Sequence, residues 1–187
     1  MNLPFSISSP LQTSRLVLRP FEHSDLEELG RLQRTPGIAR YLYWDYPDDA
    51  ELSARLERRL GDTVAEVDGD RLSWAVSTPD SDRLVADVTM VLVSVEHAQL
   101  EIGYTVHPDH HGLGYATEAA RTLVGLGFNA LGAHRIVGRI DARNNASARV
   151  LEHAGMRREA HLRENEFVKG EWTDEVIYAI LAEDFAS

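Results

Sequence analysis

The 187-residue chain contains no cysteine. That absence excludes a disulfide framework, a thiolate metal site, a cysteine nucleophile and an acyl-cysteine relay. Long apolar runs are also missing, and the first residues lack the basic region and apolar stretch of a signal peptide. Secretion and membrane insertion are therefore not expected, and the cysteine-free composition suits a reducing cytoplasm.

Positive charge is scarce, because 19 Lys and Arg stand against 30 Asp and Glu, a formal net charge of −11. Nucleic acids bind to cationic surfaces, so a nucleic-acid partner is not expected, whereas cationic small molecules or basic peptide ends would be attracted. No internal repeat, low-complexity tract or linker is visible. Residues 1–187 are therefore expected to form one globular domain, and a homodimer is compatible with these properties.

A strand, a glycine loop and a helix start follow one another in the middle of the chain. Apolar side chains alternate along residues 101–106, two glycines follow at Gly112 and Gly114, and a helical pattern begins near Ala116. The first amides of a helix have no intrahelical acceptor and lie at the positive end of the helix dipole. The turn is therefore suited to bind a phosphate, most naturally a pyrophosphate, with an ordinary glycine turn as the alternative.

The rest of the chain alternates strand and helix patterns. The predicted strands are residues 15–20, 72–77, 84–95, 101–106, 134–141, 157–168 and 172–181. The other predicted helices begin at Ser24 with Glu27 in capping-box position, at Asp48 or Asp49, and at Asn144 or Asn145 with Gly155 at the end. The expected fold class is α/β (α+β), with a mixed, mostly antiparallel central sheet flanked by helices.

Several separated blocks carry a resemblance to a known family. Residues 111–116, His-Gly-Leu-Gly-Tyr-Ala, resemble the acyl-CoA loop of the GNAT superfamily of N-acetyltransferases, Gln/Arg-x-x-Gly-x-Gly/Ala. The segments 15–20, 101–104, 144–156 and 170–178 resemble, in the same order, the opening strand, pre-loop strand, Asn-x-x-Ser helix and tail of its RimJ/RimL-like branch. Two positions depart from the pattern: His111 replaces Gln or Arg, and Ala86-Asp87 stands where that branch often carries a glycine.

The resemblance implies a GNAT-like fold and direct transfer of the acetyl group of acetyl-CoA, a cosubstrate, to an amine. Such transfer needs a base, a backbone donor to the thioester carbonyl and a weak acid. The resemblance makes Glu101 the expected base or amine-orienting carboxylate and Ser147 or Tyr178 the expected acid. The alternatives are a carboxylate on a solvated strand face, a first-turn partner of the Asn144 cap, and a packed tyrosine.

The resemblance also implies a set of cofactor contacts. Backbone groups around Tyr104 and Val106 are expected to hold the pantetheine, and the loop amides the pyrophosphate. Because the loop acts through its backbone, the side chain of His111 is expected to matter little. The expected cofactor-binding residues are Tyr104, Val106, His111, Gly112, Leu113, Gly114, Tyr115, Ala116, Thr117, Asn144 and Ser147.

The acceptor is expected to be a cationic amine, either a small molecule or a protein N-terminus. Acids in the segments that should rim the acceptor side are Glu101, Glu164, Glu166 and Asp174. They would clasp a cation together with the aromatic residues 41–46, which otherwise fill a core or a helix junction. The alternative is that the acids pair across strands with Arg157, Arg158, Arg163 and Lys169.

Parts of the same loop resemble the sites of two other chemistries. His107, His110 and His111 form no HExxH pattern and cannot easily converge from one loop, so no metal is predicted. Residues 112–117 nearly match the GxGxxG signature of a dinucleotide-dependent oxidoreductase, but Thr117 occupies the third glycine and no second βαβαβ half follows. A non-catalytic acyl-CoA sensor is the remaining alternative.

Overall fold

The computed structural model describes residues 1–185, which contain ten strands and five α-helices. The strands are β1 (Phe5–Ser6), β2 (Leu11–Gln12), β3 (Val17–Arg19), β4 (Val64–Ala65), β5 (Arg71–Thr78), β6 (Ser81–Ser94), β7 (Gln99–Val106), β8 (Arg135–Asp141), β9 (Arg157–Val168) and β10 (Glu171–Leu181). The helices are α1 (Leu26–Arg34), α2 (Asp49–Gly61), α3 (Tyr115–Asn129), α4 (Asn145–His153) and α5 (Ala182–Phe185).

Eight strands form one sheet in the order β2-β3-β5-β6-β7-β8-β10-β9, while β1 pairs with β4. Within the described residues, every neighbouring pair of the large sheet is antiparallel except β7 and β8. The predicted fold class, a mixed and mostly antiparallel sheet flanked by helices, is confirmed.

The parallel pair is short and then opens. Strands β7 and β8 pair from Gln99 and Arg135 to Glu101 and Val137. Beyond Glu101, β7 continues to Val106 and pairs with β6 alone, while β8 continues beside β10. Residues 102–106 thus have one backbone edge without a strand partner in the described part of the chain. The sheet is split open at its centre.

Helices cover both faces of the sheet, because its central strands alternate between two apolar cores. Leu72 and Trp74 of β5 join a cluster with α3 and α4, whereas Ala75 joins a smaller cluster with α1 and α2. Helix α4 lies so close to β8 that a Cβ on Gly138 would come 2.8 Å from Leu151 Cδ2. Helix α4 is therefore packed directly against β8, one of the two strands that border the opening.

Most predicted boundaries agree with the structure to within a few residues. Asp48 caps α2, Asn144 caps α4 and α3 begins at Tyr115, one residue before its expected start. The prediction that Ser24 caps the first helix is wrong: Ser24 lies inside a 3-10 turn, His23–Asp25, capped by Glu22 and Asp25. The reason is tertiary, because Arg19 binds the Asp25 carboxylate at 2.7 and 2.8 Å and fixes the turn there. No helix within residues 1–185 is long and apolar enough to cross a membrane.

Candidate active site

The glycine loop has the backbone geometry of an anion site. A 3-10 turn at Pro108–His110 leads into Gly112 and Gly114, whose φ angles are +76° and +80°. Gly114 is the N-cap of α3, and no side chain caps this helix. Within residues 1–185, no hydrogen bond uses the amides of residues 113–116. These amides are free to donate hydrogen bonds to an anion, because the first amides of a helix have no acceptor within the helix.

The histidines before the glycines fix the loop. His111 Nε2 lies 3.0 Å from the Val106 carbonyl, at the end of β7. The ring joins the loop to the end of the strand, and the expectation that the His111 side chain matters little for cofactor binding stays a prediction. His107 is buried, with Nε2 3.1 Å from Thr35 Oγ1. In the described part of the chain, no three His, Asp or Glu side chains are grouped to hold a metal.

One wall of the opening between β7 and β8 is tied to α4. The Tyr104 hydroxyl donates to the Ser147 carbonyl at 3.0 Å, and burial raises the pKa of Tyr104. Asn144 Oδ1 accepts from the Ser147 amide at 3.1 Å, so the N-cap interpretation of this pair is correct. Ser147 Oγ makes no hydrogen bond within residues 1–185. Tyr104 thus joins β7 to the start of α4 across the opening, and the Ser147 hydroxyl remains available for a ligand.

Glu101 lies at the point where β7 and β8 separate, on the sheet face opposite Tyr104. Its side chain is 34% exposed, and Arg139 Nε lies 3.2 Å from Glu101 Oε2. Arg139 also contacts the buried Glu175, at 3.3 Å. Burial raises the pKa of Glu101, Arg139 opposes the rise, and Glu175 adds to it. A carboxyl with a raised pKa is a better proton acceptor near neutral pH.

Tyr178 is hydrogen-bonded to Glu152, near the end of α4, and not to Ser147 of the same helix. Its ring is buried, and its hydroxyl donates to Glu152 Oε1 at 3.1 Å. Burial and this carboxylate both raise the pKa of Tyr178. The hydroxyl is therefore engaged in a structural hydrogen bond, and a raised pKa makes it a poorer acid.

The expected acidic rim is only partly assembled. The Tyr43 hydroxyl donates to both carboxylate oxygens of Glu166, at 2.7 and 2.8 Å, and burial followed by Glu166 raises the pKa of Tyr43. Glu175 and Glu101 also contribute to the raised pKa of Tyr43. Asp174 is instead bound to His161 and to the Glu164 amide at the β9–β10 hairpin.

The alternative that these acids are neutralised across strands is wrong: in residues 1–185 no ion pair joins any of them to Arg157, Arg158, Arg163 or Lys169. Lys169 binds Asp45 and the Ala39 carbonyl, not one of the four rim acids. The Tyr43–Glu166 and Asp45–Lys169 contacts together join the segment around Tyr43 to the β9–β10 hairpin. A cleft between them is lined by cations and acids alike: Arg40, Tyr41, Tyr43, Asp141, Arg143, Glu166, Val168, Lys169, Glu171 and Thr173.

Several site residues escaped the sequence analysis. Arg139 lies next to Glu101 because β8 is the neighbour of β7, and Glu175 lies next to Arg139 because β10 stands between β8 and β9. Alternation along β8 places Arg139 on the same face as Val137, but no local signal identifies the neighbouring strand. Arg15 and Glu118, which contact the loop and the first turn of α3, are far apart in sequence.

Comparison with known proteins decides the family. The family model described as "Acetyltransferase (GNAT) domain" matches residues 15–157, more than half of the chain. The chain belongs to the GNAT acetyltransferase family. Acetyl-CoA is the cosubstrate of GNAT acetyltransferases. With antiparallel pairing throughout except β7 and β8 in residues 1–185, the dinucleotide-oxidoreductase alternative is wrong.

Relatives of this GNAT chain are named as N-acetyltransferases. The uncharacterized N-acetyltransferase YnaD of Bacillus subtilis is 29% identical, over 94% of this chain and 98% of its own length. The spermidine N(1)-acetyltransferase of Escherichia coli is 23% identical, over 90% of this chain and 87% of its own. A crystal structure of a GNAT-family acetyltransferase from Bacillus anthracis superposes with a TM-score of 0.83 at 27% identity, covering 94% of this chain and 99% of that one.

Proposed function

We propose that this protein transfers the acetyl group of acetyl-CoA directly to a primary amine, without a covalent enzyme intermediate. We further propose that residues 1–187 act as one domain of the RimJ/RimL-like branch, in the cytoplasm that the cysteine-free sequence suits. The observation that carries the proposal is the unpaired edge of β7, between the free amides of residues 113–116 and the carboxylate of Glu101. Glu101 and the unpaired edge lie on β7, and the free amides follow in the loop after that strand.

The groups divide the chemistry as follows. The pyrophosphate would accept from the amides of residues 113–116, and the pantetheine would lie along the edge of residues 104–106. The amine nitrogen attacks the thioester carbonyl carbon, so that a C–N bond forms as the C–S bond breaks. Glu101, directly or through water, takes the proton that the amine loses, and Ser147 or Tyr178 gives a proton to the leaving thiolate.

A cationic amine is the acceptor that we propose, as a small molecule or a protein N-terminus. Support comes from Glu166, Glu175 and Glu101, the proposed base, which all contribute to the raised pKa of Tyr43. A ring and carboxylates together suit an ammonium group. A relative named as a spermidine acetyltransferase is in keeping with an amine of this kind.

The test is an unbiased panel of amines with acetyl-CoA, covering polyamines, amino acids, aminoglycoside-type amines and peptides with free N-termini. We expect acetylation of at least one cationic member and release of one CoA thiol for each amide formed. Tight CoA binding with no product from any amine would favour the non-catalytic sensor instead.

Gly114→Glu tests whether the loop holds the cosubstrate. The added carboxylate would lie among the free amides, in a left-handed backbone conformation that disfavours a side chain, so CoA binding should be lost. Gly69→Glu is the matched control, since Gly69 has a similar positive φ of +92° but lies in the turn before β5, away from the loop. Unchanged CoA affinity in a folded Gly114→Glu protein, measured by calorimetry, would refute this assignment.

A further inference from the structure

A segment before β3 is bound to the first turn of α3. The Glu118 carboxylate accepts hydrogen bonds from the hydroxyls of Thr13 and Ser14, from the Arg15 amide at 3.0 Å and from Arg15 Nε at 2.7 Å. Arg15 Nη2 completes the ion pair at 2.6 Å. The first turn of the helix that follows the loop is thus fixed by residues about a hundred positions earlier in the chain.

The same guanidinium also holds the loop itself. Arg15 Nη1 donates to the Leu113 carbonyl at 2.8 Å, and the guanidinium carbon lies 5.1 Å from the centre of the Tyr115 ring. A Cβ on Gly114 would lie 3.4 Å from Arg15 Nη2. One side chain therefore joins the loop carbonyl to the helix carboxylate through separate nitrogens, which a planar guanidinium can do.

Holding the Leu113 carbonyl also sets the direction of an amide. In a trans peptide the C=O and the following N–H point in opposite directions across one plane. With the Leu113 carbonyl directed at Arg15, the Gly114 N–H must point to the other side of the loop. Gly114 is one of the proposed phosphate donors, and no side-chain cap holds this helix start in any other way.

We propose that Arg15, held by Glu118, is a positioning residue that fixes the Leu113–Gly114 peptide for binding the acyl-CoA pyrophosphate. The inference rests on the proposed binding of acetyl-CoA at this loop. It differs from direct contact between Arg15 and a phosphate, an alternative that the 49% exposure of the Arg15 side chain makes worth testing.

Three variants separate the two roles: Arg15→Ala, Arg15→Lys and Glu118→Ala. Lysine has a single ammonium and cannot bridge the carbonyl and the carboxylate as arginine does, yet it binds phosphate well as a point charge. Positioning therefore predicts that all three variants raise the acetyl-CoA KM and the CoA Kd, by about tenfold for loss of a charge-assisted hydrogen bond. We expect kcat at saturating acetyl-CoA and the acceptor KM to stay within about twofold.

Arg135→Ala is the matched control, because Arg135 also makes a partly exposed ion pair, with Glu159, at the opposite end of β8 from the opening. It should leave the acetyl-CoA KM unchanged. Near-normal CoA affinity in Arg15→Lys or Glu118→Ala, beside a weakened Arg15→Ala, would overturn positioning in favour of a direct phosphate contact. A fall in kcat accompanied by a similar rise in both KM values would show general structural damage and would also overturn positioning. If the unaltered protein fails to bind CoA, the proposed function itself is wrong.

Discussion

At the scale of single residues, the carboxylate of Glu101 is subject to opposing influences. Burial and Glu175 raise its pKa, while Arg139 and, more weakly, Arg71 lower it. Arg139→Met should therefore raise the Glu101 pKa further and move the acid limb of the kcat/KM profile to higher pH. The deprotonated base would then be lost at a pH where the unaltered enzyme still works.

Two comparisons make this prediction specific. Arg71→Met should move the acid limb less than Arg139→Met, because Arg71 has the smaller influence on Glu101. Glu101→Gln should remove the limb and lower turnover by roughly 10² to 10⁴, as loss of a general base does. An acid limb that stays in place in Arg139→Met would assign the titrating group to another residue.

The two candidate acids differ in how their hydroxyls are engaged. Ser147 Oγ makes no hydrogen bond within residues 1–185, whereas the Tyr178 hydroxyl donates to Glu152. We therefore expect Ser147→Ala to lower kcat by about 10² or more, with little change in CoA affinity, and Tyr178→Phe to change kcat by less than about threefold. Single-turnover kinetics with the best acceptor would check the ranking. The reverse order would make Tyr178 the acid.

At the scale of elements, His107 joins the end of β7 to the end of α1. The Thr35 hydroxyl donates to the Arg31 carbonyl, so His107 Nε2 must donate to Thr35, while Nδ1 accepts from the Asp109 amide. Both ring nitrogens are used by the neutral ring. Burial, followed by the field of Arg31, lowers the pKa of His107.

A lowered pKa in the folded protein means that the unfolded chain takes up the proton first as the pH falls. The stability that neutral His107 contributes is complete above the unfolded pKa, about 6.5, and is lost on acidification below it, by at most about 1.4 kcal/mol per pH unit. Between about pH 6.5 and pH 5, the free energy of unfolding measured in urea should thus fall less steeply in His107→Gln than in the unaltered protein. The control is His97→Gln, in the exposed β6–β7 turn, whose free energy of unfolding should fall as steeply with pH as that of the unaltered protein.

Local signals in the sequence predicted the elements better than the contacts between them. Alternation, capping residues and glycines gave β7, the loop and the start of α4, because these depend on neighbours within a few positions. The placement of Ser24 failed because the Arg19–Asp25 ion pair moved the cap. The partners of Glu101 could not be predicted, since β10 rather than β9 lies beside β8 and brings Glu175 next to Arg139.

At the scale of the whole molecule, the net charge of −11 sets a long-range field. The cleft near Tyr43 contains cations as well as acids, so attraction of a cationic acceptor would come from the whole surface. We expect kcat/KM for a cationic amine to fall as salt rises from about 0.01 M to 0.5 M, because the screening length shortens from about 30 Å to a few ångströms. An aromatic amine, uncharged at neutral pH, is the control. If kcat/KM for the cationic acceptor does not change with salt concentration, electrostatic steering is refuted.

The split between β7 and β8 also bears on how the protein behaves in concentrated solution. An unpaired strand edge is a template on which another polypeptide can add, and proteins protect such edges against aggregation. Here the unpaired edge of β7 lies inside the sheet, on the side of β8. A cosubstrate lying along residues 104–106 would cover that edge, and any ligand that binds only the folded state stabilises it further. The supply of acyl-CoA would then govern how long the enzyme stays free of aggregates, as well as how fast it works.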